Sequence, residues 1–279
     1  MKTYHPLVIF LFFVAAIALT MCALHPVLSV MAVAAAAAWA ICLKGCHAFL
    51  GMLGFYLGVV VVMTVFNALF NTVGLTVLFY VGSMPVTAEA LVFGLSSGAL
   101  LVAVLTWFSC YQEVMGADKF LALFGRVLPT TSMMITLVFG FIPGVLERGR
   151  SIANARKALV GEEKSLKAGV RLASVLMGWS METGLITAAS MKARAYGSTQ
   201  RSTYLNMRWT LRDTVALVLL LALTAAAVAA AVVTLSGFRF YPYLTPLHAD
   251  WLYAPYALLL VLPLLLEGGE RLRWRLSSL

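Results

Sequence analysis

The stretch VALVLLLALTAAAVAAAVVTL, residues 215–235, carries no charge, no glycine and no proline. A hydrocarbon core of ~30 Å needs about 20 apolar residues at 1.5 Å each. In lipid every backbone N–H and C=O must be bonded within the segment, so a run of this kind is a helix. Further runs of similar character lie at 7–23, 27–43, 49–70, 88–108 and 252–266. Their one charge is Glu89, in the first turn of the fourth run, where the helix dipole favours a carboxylate. Composition agrees: 62% of the residues are hydrophobic and 11% charged, against roughly 25% charged in a soluble domain. The expected fold is all-α, a polytopic helical membrane protein. His25-Pro26 makes a short turn, and Lys44-Gly45-Cys46-His47 punctuates the second and third runs. Residues 71–86, uncharged and holding Gly74, Gly82, Ser83 and Pro85, read as a partly membrane-embedded loop.

Between the fourth and fifth runs the register changes. Residues 118–128 are amphipathic, with Lys119 and Arg126 among Phe120, Leu121, Leu123 and Phe124. Residues 130–142 are apolar and too short to span, and Pro143-Gly144 is expected to interrupt them. Glu147, Arg148, Arg150, Arg156 and Lys157 follow at helical spacing, Gly161-Glu162-Glu163-Lys164 reads as a turn, and 166–196 as a long helix or helix pair. Three parts result: N-terminal transmembrane helices (1–108), a basic cytoplasmic or interfacial helical region (109–212), and C-terminal transmembrane helices (213–279). The first run follows Lys2 and leads into further spans, so it is expected to be an uncleaved helix. Six spans with the N-terminus inside put nineteen of the twenty Lys and Arg residues on the cytoplasmic side and only Arg239 outside. Both termini are therefore expected in the cytoplasm.

The net charge of +9 is explained by this bias and by attraction to anionic membrane lipid, and no nucleic-acid motif accompanies it. Cys22, Cys42, Cys46 and Cys110 lack the compact second pair that a zinc site needs. No metal, cofactor or catalytic site is expected. There is no phosphate loop, no zinc-protease helix and no nucleophile elbow, so the chain is not expected to be an enzyme. The four histidines read as helix-end residues. Three Gly-x-x-x-Gly spacings, at Gly54/Gly58, Gly94/Gly98 and Gly140/Gly144, suggest close helix packing. Glu182, amid Trp179, Met181 and Leu185, is either a functional ionisable group near the membrane or a structural partner of Lys192, Arg194 or Arg171. A permease with its own substrate path would want more polar residues in the spans than Thr64, Asn67 and Glu89. A structural membrane assembly factor is the other alternative.

Trp179-Ser180-Met181-Glu182 and Thr187-Ala188-Ala189-Ser190-Met191-Lys192-Ala193-Arg194-Ala195-Tyr196-Gly197 resemble the transmembrane T component of energy-coupling-factor (ECF) transporters. So do His5-Pro6-Leu7, the 74–79 loop, Thr87-Ala88-Glu89-Ala90-Leu91 and the segment 118–125. The resemblance covers most of the chain to about Asp213.

That resemblance implies a subunit of an ABC importer in a prokaryotic plasma membrane. It would join two cytoplasmic ABC ATPases, the A components, to an integral-membrane S component that captures a vitamin or metal ion. Each of two coupling helices would end near an Ala-Arg-Gly motif whose arginine docks in an ATPase groove, a task suited to a planar guanidinium. The second motif falls on Ala193-Arg194-Ala195, with Ala in the glycine position and with Glu182, Lys192, Tyr196 and Gly197 as support. The first falls on Ala155-Arg156-Lys157. There strict alignment of Ala-x-x-Ala-Arg-Gly puts Leu159 in the arginine place, and Arg156 stands three residues earlier on nearly the same face.

Overall fold

The computed structural model describes residues 4–71, 73–81, 84–125, 128–161, 165–198, 209–241, 245 and 251–277. Its chain divides into two compact units, one of Met1–Lys119 with Arg208–Leu279 and one of Phe120–Met207.

The first unit holds the helices α1 (Pro6–Cys22), α2 (Pro26–Lys44), α3 (Cys46–Phe70), α4 (Ala88–Val114), α8 (Leu211–Gly237) and α9 (Ala254–Ser277). A 3-10 turn, Trp251–Tyr253, precedes α9. Helices α2, α3, α4 and α8 are long and apolar enough to cross a membrane, and α1 and 251–265 are shorter apolar helices. His5 and His25 begin α1 and α2 in the same way. Each sits just before a proline at the first helical position, and its Nδ1 accepts the N–H of the residue two further on. His25 is 2% exposed, and burial pushes its imidazole below the ordinary value, which favours the neutral form that can accept.

Helix α4 is central and packs against α1, α2 and α3. Phe12 and Phe13 meet Trp107 edge-on at 5.9 and 6.2 Å, and all three are buried with Trp39. Of the three Gly-x-x-x-Gly spacings, Gly94/Gly98 lies at a close helix crossing. A Cβ on Gly94 would stand 2.8 Å from Thr64 Cα, and one on Gly98 3.0 Å from Val60 Cα. Gly54, Gly58 and Gly140 face open space.

The segment expected as a partly membrane-embedded loop contains two paired strands. Val77–Val81 (β1) and Met84–Thr87 (β2) pair antiparallel. Val77, Phe79, Tyr80 and Val81 in β1 and Val86 and Thr87 in β2 favour extended backbone, and pairing the two runs satisfies N–H and C=O groups that an unpaired embedded loop would leave open.

Contacts fix the ends of this unit. At one end, His5 N–H donates to Asp213 (2.9 Å), Lys44 donates to Ser109 (2.6 Å), and Phe13 meets Tyr111 (5.5 Å). At the other, His25 meets Phe238 (4.3 Å), Asn71 donates to Tyr241 (2.9 Å), and Tyr256 donates to Thr20 (3.4 Å). Helices α1, α2, α3, α4, α8 and α9 therefore alternate in direction. The exit from α4 and the entry to α8 share the end that begins at His5.

Candidate functional site: two helix ends on an antiparallel pair

The second unit holds α6 (Pro129–Val160), α7 (Leu166–Ala193) and the end of α5 (Ala117–Phe124). Arg126 and 162–164 lie outside the described residues. Pro129 opens α6 at a position where its missing N–H is not needed. The helix then runs through Pro143 without a break. The expected interruption does not occur: one proline removes one intrahelical bond and the flanking turns hold. As a result the apolar 130–142 piece is the first half of a helix that, over Pro129–Leu159, is long and apolar enough to cross a membrane. Gly161, at φ 83°, ends it.

Helix α7 returns antiparallel. Gly144 faces the Trp179 ring, Gly149 faces Leu176, and Arg156 Nη1 donates to the Ala168 carbonyl at 3.0 Å. Small residues on α6 thus meet large ones on α7. Much apolar surface stays uncovered, including Met134, Val138, Phe139 and Leu146 on α6 and Met177, Met181, Leu185 and Ile186 on α7. A face of this extent marks contact with lipid or with another protein.

Arg194 is the last residue of α7's framework. Ala195 N–H donates to Lys192 O and Tyr196 N–H to Met191 O, both at 3.0 Å. Those two bonds are a Schellman motif, with Arg194 at the C-cap and Ala195 at the position after it. Ala195 has φ 57°, the one described non-glycine residue in the left-handed region, and Gly197 follows at φ 91°. This geometry gives the Ala-Arg-Gly pattern a physical reason: the third residue must turn left-handed, and glycine does so without a Cβ clash. The arginine leaves the negative end of a helix dipole. Lys192, Ala193, Arg194, Ala195, Tyr196 and Gly197 are all exposed.

The other predicted residues sit differently. Arg156 is partly buried and bonded to α7, while Ala155 and Lys157 are exposed near it. Leu159, in the aligned arginine place, is 86% exposed. Arg156 and Arg194 are not brought together. From Ala168, opposite Arg156, to Arg194 is roughly 26 residues of α7, about 39 Å at 1.5 Å per residue. Glu182 is exposed and has no ion pair among the described residues. On one helix, charges pair at spacings of three or four, whereas Arg171 and Lys192 are about 15 Å or more away along the axis. The structural salt bridge expected for Glu182 is therefore absent from this geometry.

Two buried carboxylates of the first unit hold segments together. Asp213, 3% exposed, accepts from His5 N–H and from the Thr210 N–H (3.0 Å) and hydroxyl (2.6 Å). It ties the start of α1 to the start of α8. The signal was present as Thr210-x-x-Asp213 before an apolar run, a capping box. Glu89, 2% exposed, accepts from the Thr76 hydroxyl at 2.7 Å and fastens the segment before β1 to α4. Gly74 is required there, because a Cβ would collide with Glu89 and Thr87.

No family model matches the chain. It is 29% identical to the energy-coupling factor transporter transmembrane protein EcfT of Streptococcus thermophilus over 195 residues, 61% of this chain and 74% of that protein. It is 28% identical to the protein of the same name from Bacillus selenitireducens over 191 residues, 62% of this chain and 71% of that one. These likenesses support an EcfT-like transmembrane component of an energy-coupling factor transporter.

Proposed function

We propose that this chain couples ATP hydrolysis by two cytoplasmic ATP-binding-cassette ATPases to an integral-membrane S component that captures a vitamin or a metal ion. It would lie in a prokaryotic plasma membrane with both termini cytoplasmic. The chain itself carries no phosphate loop, so hydrolysis belongs to the ATPases. The observation that carries this reading is Arg194, exposed at a Schellman-terminated helix end, with small residues beside it that allow a partner to approach closely. The second unit is a stiff antiparallel pair with functional candidates at opposite ends. Displacement imposed at one end can reach the exposed apolar faces of α6 and α7, which suit a membrane-embedded partner.

The test is recovery of the ATPases on a tagged full-length chain. Arg194→Glu replaces a docking cation by a repelling anion. Losing one partner of a desolvated charge pair costs on the order of 2–5 kcal/mol, enough to remove most of the bound ATPase. Lys44 is a poor control because it bonds to Ser109. Arg212→Glu is better, since Arg212 is exposed and a carboxylate suits the first turn of α8. Equal, undiminished recovery with Arg194→Glu and Arg212→Glu would reduce the basic segment to membrane anchoring.

A further inference from the structure

We infer that Glu182 is the charged centre of the surface on which α7 receives its integral-membrane partner, and that this partner answers it with a lysine or arginine set in an otherwise apolar face. The inference rests on the coupling reading above and deepens it by stating the partner's chemistry.

From Leu172 to Met191, α7 carries one charge, the Glu182 carboxylate. Around it Val175, Met177, Met181, Leu185 and Ile186 are all exposed. Glu182 is itself exposed and makes no hydrogen bond or ion pair among the described residues. Arg171 and Lys192, the next charges along α7, stand roughly 15 Å or more away along the axis. Gly178 lies one turn earlier on the same side of the helix, and nothing is within 4 Å of where its Cβ would stand. The surface is thus apolar and bare, with a single carboxylate at its middle and open backbone beside it over which a long side chain can pass.

These features select the occupant by charge complementarity. Bare apolar side chains over this length are a cost unless something covers them. Acyl chains would cover them but leave the carboxylate unmatched, and an ionised group facing hydrocarbon is expensive. A second copy of the chain brings little cation on its barest apolar helices: α3 has no lysine or arginine, and α8 has only Arg212, at its entry. Arg194, assigned above to an ATPase, lies beyond the run. A membrane protein whose apolar face holds one basic side chain satisfies both halves of the surface. Its apolar area buries against α7, and its cation pairs with Glu182 where water is excluded. Such a pair sets register and partner choice, because an apolar face without the cation would strand a buried carboxylate.

The experiment uses the full-length tagged chain in the membranes of its own host. A photo-cross-linking amino acid replaces Met181, next to Glu182, and the products are identified by mass spectrometry. The expected product joins the chain to a different multispan membrane protein, at a peptide that holds a lysine or arginine. That protein is then co-expressed with the chain and the ATPases, and the recovery of each on the tag is measured. Glu182→Gln is expected to weaken binding of the membrane protein about tenfold or more, and Glu182→Lys further, with ATPase recovery undiminished. Glu147→Lys, at an exposed glutamate of α6 outside the run, is expected to change neither. Reversing the partner's cross-linked cation to glutamate is expected to restore binding by Glu182→Lys, a rescue that a purely structural glutamate would not give. Undiminished recovery of the membrane protein with Glu182→Lys, beside ATPase loss with Arg194→Glu, would overturn the inference and leave the coupling reading standing. Absence of ATPases from the wild-type recovery would overturn the coupling reading itself. A cross-link only to lipid, to an ATPase or to a second copy of the chain would give the surface to that occupant and end the proposal.

Discussion

The end of α7 turns on one methyl group. Ala195 holds φ 57°, a conformation that costs an L-residue with a Cβ on the order of 1 kcal/mol relative to glycine. Ala195→Gly should therefore firm the last turn of α7 by about 0.5–1 kcal/mol. Amide hydrogen exchange at Ala195 and Tyr196, whose N–H groups close the Schellman motif, should slow by about two- to fivefold, with no loss of ATPase recovery. Faster exchange would mean that the left-handed turn is not what ends the helix. The same residue shows what could be read in advance. The Ala193-Arg194-Ala195 pattern locates the helix end in the sequence, but its φ value depends on the bonds to Lys192 and Met191. Arg156 is the opposite case. Its helical face is legible, yet its direction toward Ala168 is set by how α6 and α7 pack, and no spacing rule contains that.

At the scale of elements, the charge-free runs gave the helices because lipid leaves the backbone no other solution. Two elements departed from expectation. Pro143-Gly144 read as a break, but α6 passes through it, because one lost bond is small beside the rest of a long helix. The 71–86 segment paired with itself, a long-range backbone choice that local composition does not dictate. Glycine spacing was a weaker guide than glycine contact. Gly94 and Gly98 lie against α3 backbone, whereas Gly58 faces open space. Gly94→Val should force the α3/α4 crossing apart, at an overpacking cost of about 1–3 kcal/mol, while Gly58→Val should be close to neutral. Thermal unfolding in mild detergent ranks them. Equal shifts for the two substitutions would contradict the close crossing.

At the scale of the whole molecule, side-chain contacts sort the helix ends of the first unit into two groups, and Lys/Arg counting predicts which group is cytoplasmic. Counting depends on where the spans are drawn; the contacts do not. His5 bonds to Asp213, and Lys44 to Ser109, at the end where α4 leaves and α8 enters. His25, Asn71, Phe238, Tyr241 and Tyr256 gather at the opposite end. Arg239 belongs to that second end, and Lys44 and Arg212 to the first. The positive-inside bias predicts that the His5 end is the cytoplasmic one, the orientation proposed above. Labelling decides the matter in a chain whose four native cysteines are replaced. Cysteine at Leu75 or Thr245 should react with an impermeant maleimide in intact cells. Cysteine at Gly116, which has open space around it, or at Ser165, which is exposed, should react only after permeabilisation. The paired design separates two failures. A complete reversal would invert the orientation but keep the alternation of helices. A mixed result, with Leu75 and Thr245 on different sides, would break the alternation and with it the common end at which α4 leaves and α8 enters.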